Sequence, residues 1–341
     1  MIRGAKCLIV ATAVFAAGTL TAAAAENGLS SRLNADRASI GANEDVTLRV
    51  TLRNTSAQAI SLPYWQTPVR GIFANLFDVQ RDGQAVAYIG RLTKWAAPRA
   101  EDMVTIPAGG FVRAKVELTA AYDISRTGEY TFRLRGDEGT SKRASNSVSI
   151  AIDRDASDFV DYLAQAQAEA DAAGNFVTPG YVSCSSSRQT TLRSALGAAE
   201  TMAQRAKAFT NAGTTGTAWT TWFGAYNASR YSTVNSHYNS IYNVFSTKTV
   251  TFYCDCTDSS YAYVFPNQPY KIHLCGAFWA APLTGTDSKG GTLVHETSHF
   301  TAVAGTDDWA YGQSACRSLA TSNPSRAIDN ADTHEYFAEA R

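Results

Sequence analysis

The sequence predicts an α+β protein in two parts, an N-terminal antiparallel β-sandwich followed by a mostly helical domain with a small β insert. Three observations carry that prediction: a length of 341 residues at 45% hydrophobic content, apolar–polar alternation concentrated in the first half, and helical periodicity concentrated in the second. Such a chain exceeds one ordinary domain and is apolar enough to bury real cores. Thirty Lys+Arg balance thirty Asp+Glu. No bulk field is therefore available to hold a phosphate backbone or an anionic bilayer, and neither nucleic acid nor membrane is expected as a partner.

Arg3 and Lys6 precede an apolar run from Cys7 to Leu20 that is too short to span hydrocarbon, and Ala22 to Ala25 and then Glu26 follow. This reads as a signal peptide over residues 1–25, and it predicts a secreted, extracellular protein. Residues 26–154 read as the sandwich. Val46, Leu48, Val50 and Leu52 alternate with Thr47, Arg49, Thr51 and Arg53, and the same pattern returns at Val112 to Leu118 and Tyr130 to Arg135, giving one buried and one wet face. Turn chemistry at Arg81-Asp82-Gly83-Gln84, Pro107-Ala108-Gly109-Gly110 and Arg126-Thr127-Gly128 separates the runs and indicates an immunoglobulin-like build. This stretch has neither Cys nor His, which excludes His-dependent catalysis within it.

Residues 155–180 read as a linker. Asp155 to Ala173 is rich in Ala, Asp and Gln and predicts a helix, which Gly174-Asn175-Phe176-Val177-Thr178-Pro179-Gly180 breaks. The favoured reading is a protease-sensitive junction between a prodomain and a mature enzyme. No lysine lies between Lys142 and Lys207. In residues 181–341, Ser186 to Ala212 and Trp219 to Phe245 predict helices, Val250 to Cys256 and Tyr261 to Leu274 predict strands, and Leu293 to Ala304 returns to helix. The aromatic residues from Trp219 to Tyr242 are read as core and cleft-wall packing rather than sugar stacking.

Apart from Cys7, the cysteines are Cys184, Cys254, Cys256, Cys275 and Cys316, and an oxidising destination makes pairing the default. Cys254 and Cys256 flank one residue of a strand, so they share a face without being placed to bond each other. The expected pairs are Cys184 with Cys254 and Cys256 with Cys275, leaving Cys316 free and buried. Spacing alone does not choose among the pairings.

The strongest chemical signal is His295-Glu296-Thr297-Ser298-His299. Four apart on a helix, His295 and His299 offer two imidazoles to one metal, and Glu296 stands beside them within reach of a metal-activated water, whose proton it can take and pass to the leaving amine. A third ligand is needed. A metzincin-type continuation would place Gly at 302 and His at 305, where Ala302 and Gly305 stand. The remaining candidates are Glu335, in a thermolysin-like arrangement, and the nearer Asp308, where glycines let the chain double back.

His-Glu-x-x-His followed by Gly-Thr-x-Asp-x-x-Tyr-Gly, here Gly305 to Gly312, resembles the signature of the aspzincin metallopeptidases, the deuterolysin family. Thr217 to Tyr226, Tyr261 to Asn267, Leu274 to Trp279, Gly285 to Ser288 and Asn330 to Phe337 are most similar to the peptidyl-Lys metalloendopeptidase branch. The resemblance covers roughly residues 180–341 and implies a zincin catalytic domain holding one Zn2+ through His295, His299 and Asp308. It further implies Glu296 as general base and Tyr311 as stabiliser of the oxyanion. The four paired cysteines also fit that family, and Cys316 departs from it. Asp332 and Glu335, three apart, share a face that suits a lysine ammonium, and the resemblance implies a pocket for Lys just after the scissile bond. His334 is expected to face elsewhere, and His237 and His273 are read as ordinary helix-surface and strand residues. The expected protein is thus a secreted zinc endopeptidase acting on protein and peptide substrates, with its own prodomain as a chaperone-like or inhibitory partner. A broad-specificity deuterolysin-like protease and a non-catalytic, metal-stapled binding protein are the alternatives.

Overall fold

The computed structural model describes residues 28–136, 144–155, 160–172 and 178–341. The expected signal peptide, and parts of the linker, lie outside these residues. The first half runs through β1 (Leu29–Ala35), β2 (Ser39–Ile40), β3 (Thr47–Asn54), β4 (Ile60–Pro63), β5 (Phe77–Arg81) and β6 (Gln84–Ala85). It continues with β7 (Leu92–Lys94), β8 (Met103–Ile106), β9 (Phe111–Glu117), β10 (Gly128–Leu134) and β11 (Val148–Ile152). A three-stranded sheet has the order β1-β3-β9, and a five-stranded sheet the order β2-β11-β10-β5-β6. The alternation read from sequence decides which faces meet: Leu48, Val50 and Leu52 from one sheet share a core with Val79, Phe132 and Ile150 from the other. A slip of one residue in the register that pairs Val50 with Ala114 would turn that whole set outward. One pairing departs from the antiparallel expectation, since β2 runs parallel to β11.

The second half is built from α1 (Tyr162–Ala172), β12 (Gly180–Val182), α2 (Ser186–Asn211), α3 (Thr217–Phe223), α4 (Ala228–Thr247), β13 (Thr251–Tyr253), β14 (Ala262–Val264) and β15 (Lys271–Leu274). It ends with α5 (Gly276–Ala280), α6 (Lys289–His299), α7 (Gln313–Ser322), α8 (Pro324–Ala327) and α9 (Ala331–Glu339). Its own core gathers α2, α3, α4, α6 and α9 around Leu192, Trp219, Tyr238, Leu293 and Phe337. Two helices differ from the sequence reading. The stretch expected to be helical from Trp219 to Phe245 is broken where Gly224 adopts φ +74°. A Cβ there would also meet the Ala320 carbonyl oxygen and Pro324, so a tight crossing replaces helix. The second is α6, which starts at Lys289 and ends at His299 rather than continuing to Ala304.

Disulfides join Cys184 to Cys254 and Cys256 to Cys275. They tie β12 to the chain after β13, and the loop before β14 to the start of α5. Cys316 is free and buried. The small sheet of the second half has the order β12-β13-β15-β14-β7. Its edge strand comes from the first half of the chain. Leu92, Thr93 and Lys94 pair antiparallel with Val264, Tyr263 and Ala262, and all three are buried.

Candidate active site

Every residue of α6 is buried. Its start explains why two glycines stand there. A Cβ on Gly290 would lie 3.0 Å from that of Ala198, and one on Gly291 would strike Glu339 and press on Glu335, so both let α2 and α9 close on the helix. Ser288 caps it by accepting from Gly291 N at 2.9 Å, worth about 1 kcal/mol. Ser288 in turn donates from N and Oγ to Glu339 Oε1 at 2.9 and 2.8 Å.

The end of α6 builds the next part of the site. After Phe300 the chain turns through Gly305 at φ +63°, and Thr306 N donates to Ser298 O at 3.1 Å. His299 Nδ1 pairs with Thr306 O at 2.7 Å. A carbonyl can only accept, so that nitrogen carries the hydrogen and Nε2 presents a lone pair. Two residues further on, Asp308 reaches the same edge. His295 Nε2 and His299 Nε2 are 3.1 Å apart, and Asp308 Oδ1 is 3.4 Å from the first and 3.5 Å from the second. Donors bound to one zinc at about 2.0–2.1 Å in a tetrahedron stand about 3.3 Å apart, so this trio fits a single ion. Both Asp308 carboxylate oxygens, Glu296 Oε2 and the Tyr311 hydroxyl are buried and accept or donate no hydrogen bond among the described residues. Such atoms are costly to bury without a partner, and the Asp308 oxygens stand with the two imidazoles in the group that could hold an ion; Asp332 Oδ1 and both Glu335 oxygens are likewise without a hydrogen bond.

Asp307 points the other way. Its Oδ2 accepts from Asn75 Nδ2 at 2.8 Å and from Arg135 Nη1 at 2.9 Å, and Arg135 also lies over the Trp309 ring at 4.7 Å. Residues of the first half thus brace the loop that carries Asp308. Asn330 Oδ1 accepts from Trp309 N and Ala310 N, and Gly312 N donates to Asp332 Oδ2 at 2.6 Å.

Asp332 and Glu335 lie on α9, against the opposite edge of His295, with Asp332 Oδ1 at 2.9 Å and Glu335 Oε2 at 3.4 Å from its Nδ1. Glu335, the rival third ligand, is therefore on the Nδ1 side of His295 and away from the point where both Nε2 atoms meet Asp308. A lysine fills the space between these acids. Lys94 Nζ is 2.7 Å from Glu335 Oε2, 3.1 Å from Asp287 Oδ1 and 3.5 Å from Asp332 Oδ1, with its side chain 2% exposed. The rings of Tyr261 and Tyr336 complete the walls. Its backbone also reaches the site, because Lys94 N donates to Glu296 Oε1 at 3.3 Å.

The electrostatics follow from burial and charge. Burial opposes the Lys94 ammonium, but Asp332 and Glu335 outweigh it and hold its pKa well above the usual lysine value. Burial likewise opposes the Asp332 carboxylate, and the cations of Lys94 and His295 hold its pKa well below the ordinary range. The Glu296 carboxyl is pushed up to about 8, chiefly by burial. A cation on the neighbouring imidazoles would act in the opposite direction.

Lys94 and Asp287 were not singled out by the sequence reading. Nothing local marks Lys94, although the described residues of the first half hold lysine only at 94 and 115. Asp287 sits at φ +52° in a loop noted only for its resemblance. The remaining histidines serve packing. His334 Nδ1 meets Asn330 O and its Nε2 meets His237 Nδ1, each at 3.0 Å, so it faces away from Lys94. His237 is thus a half-buried partner rather than a plain surface residue. His273 is stacked between Tyr253 and Tyr263 at 4.4 and 4.5 Å.

A family model described as lysine-specific metallo-endopeptidase matches residues 208–339. An extracellular protease of Aeromonas hydrophila is 38% identical over 96% of this chain and 96% of its own. The chain belongs to the aspzincin family. A peptidyl-Lys metalloendopeptidase of Pleurotus ostreatus is 55% identical over 47% of this chain and 95% of that protein, and one of Grifola frondosa is 35% identical over 93% and 94%. This aspzincin is a zinc metalloendopeptidase, and no helix among its described residues is long and apolar enough to cross a membrane.

Proposed function

We propose that the chain is a secreted precursor of an endopeptidase that cuts before lysine. Residues 1–25 serve as the export signal, 26–154 as an immunoglobulin-like prodomain that assists folding or blocks the cleft, 155–180 as the processing region and 181–341 as the enzyme. The observation that carries the lysine preference is the ring of Asp287, Asp332 and Glu335, which already surrounds a lysine ammonium beside the two imidazoles. An extracellular role is supported by the Aeromonas relative, an extracellular protease.

His295, His299 and Asp308 would hold one Zn2+, which when bound supplies a Lewis acid and lowers the pKa of water towards about 7. The chain's own groups do the rest. Glu296 takes a proton from the attacking water and returns it to the leaving amine, a role supported by the amide hydrogen bond that its Oε1 already accepts. Tyr311, with its buried and unpartnered hydroxyl, donates to the oxyanion. Asp332 and Glu335 orient His295 through Nδ1 and bind the lysine of the substrate. Digestion of a denatured protein by the chain cut in its linker, with cleavage sites mapped by mass spectrometry, tests the reading. Cuts on the amino side of lysine are expected, and cuts scattered without regard to lysine would overturn the preference.

A further inference from the structure

We propose that, in the intact chain, Leu92–Lys94 occupies the place of the substrate, with the Thr93–Lys94 bond in the register of the bond that the enzyme hydrolyses. This rests on the lysine preference proposed above and names what fills the pocket before activation. Three independent contacts support it. The first is the strand pairing: β7 adds antiparallel to the free edge of β14, and Tyr261 N donates to Lys94 O at 2.9 Å. Adding an extended strand to a sheet edge is a general way to bind a peptide, with main-chain bonds for affinity and side-chain pockets for choice. The second is the side chain, which carries its charge into the three-acid pocket and is almost completely enclosed. The third is the amide nitrogen. Lys94 N bonds to Glu296, the position a leaving amine must hold to receive a proton from that carboxyl.

Together these contacts set direction and register at once. A strand shifted by one residue would turn Lys94 out of the pocket, and one shifted by two would move its amide away from Glu296. The segment is also anchored on both sides. Arg91 pairs with Asp258 at 2.9 Å and lies over Tyr263, and Trp95 stacks on Trp65 with ring centroids 4.2 Å apart. A free peptide must order itself to make such contacts, whereas this one is pre-ordered and covalently linked, which favours occupation by effective concentration. No lysine lies between Lys142 and Lys207, so a lysine-directed enzyme cannot sever the 155–180 connection. Release of Lys94 therefore calls for a second protease of different preference.

The test compares full-length chains, confirmed uncut by electrophoresis at the time of assay. Lys94→Ala is expected to hydrolyse a quenched lysine peptide at least ten-fold faster than the unaltered full chain, and equal rates would overturn the proposal. A second measurement leaves Lys94 in place, so it survives misfolding of that variant. In the folded full chain carrying Glu296→Gln, acylation by an amine reagent should modify Lys94 at least ten-fold more slowly than exposed Lys115, and equal rates would again overturn it. Cutting the linker with an added protease separates this from the functional reading. If the cut chain hydrolyses no lysine peptide, the functional reading fails, whereas acylation still reports whether Lys94 is enclosed.

Discussion

Two buried clusters share the imidazole of His295, and they meet the cost of burying charge in different ways. On the Nε2 side, Asp308 has the imidazoles of His295 and His299 at 3.4 and 3.5 Å, and both of its oxygens are buried without a hydrogen bond. On the Nδ1 side, buried Asp332 and Glu335 and the partly exposed Asp287 are ion-paired with the chain's own Lys94, although Asp332 Oδ1 and both Glu335 oxygens likewise lack a hydrogen bond. Buried carboxylates are stable only beside a cation. In the proposed reading the first cluster holds a cation from solution and the second a cation on a peptide. One histidine touches both, through Nε2 on one edge and Nδ1 on the other.

The largest effects should come from the Nε2 side. Asp308→Ala is expected to lower zinc, measured by elemental analysis, from about one per chain to near none, and to abolish hydrolysis with it. Glu335→Ala should keep the ion, and loss of zinc there would reinstate the rival ligand. Glu296→Gln is expected to keep the metal and fold while activity of the linker-cut chain falls about 10²- to 10⁴-fold. Full activity in that variant would remove Glu296 as the general base.

The Nδ1 side should show smaller and more selective losses. Asp287→Asn is the cleaner probe because Asp287, unlike Asp332 and Glu335, makes no contact with His295. In the linker-cut chain it is expected to lower kcat/KM for lysine peptides by about 10-fold, the lower end for a charged hydrogen bond, leaving metal content unchanged. Loss of zinc there would show that the two clusters are not separable.

The smallest effect concerns the brace behind α6. Burial pushes the Glu339 carboxyl up to about 8 from its ordinary 4.5, with Glu335 adding to the shift. Between those values the folded chain keeps a proton that the unfolded chain has lost, so this group's contribution to stability declines as pH rises from about 4.5 to 8. Glu339→Gln should therefore flatten the fall of Tm across that window, and an unchanged slope would reject the assignment.

Much of this was legible before any coordinates. Alternation around Val50 and Phe132 marked the inward faces, and the four-residue spacing of His295 and His299 put both imidazoles on one helical face. Spacing left Asp308 and Glu335 as two candidates and the resemblance implied Asp308, which the turn at Gly305 brings within 3.4 and 3.5 Å of the two Nε2 atoms. The helix expected from Trp219 to Phe245 failed at Gly224, where a neighbouring carbonyl leaves no room for a Cβ, a constraint set by α7 and not by local sequence. Cys316 was expected to be buried and free, and it is.

Local pattern thus determined the elements, the imidazole pair and the class of chemistry, because those depend on spacings of a few residues along one chain direction. Lys94 and Asp287 lie 193 residues apart in sequence and 3.1 Å apart in space. Their meeting needed the first half of the chain to lay a strand on the sheet of the second, and no periodicity in either segment encodes a contact whose energy comes from charges gathered out of water by the fold as a whole.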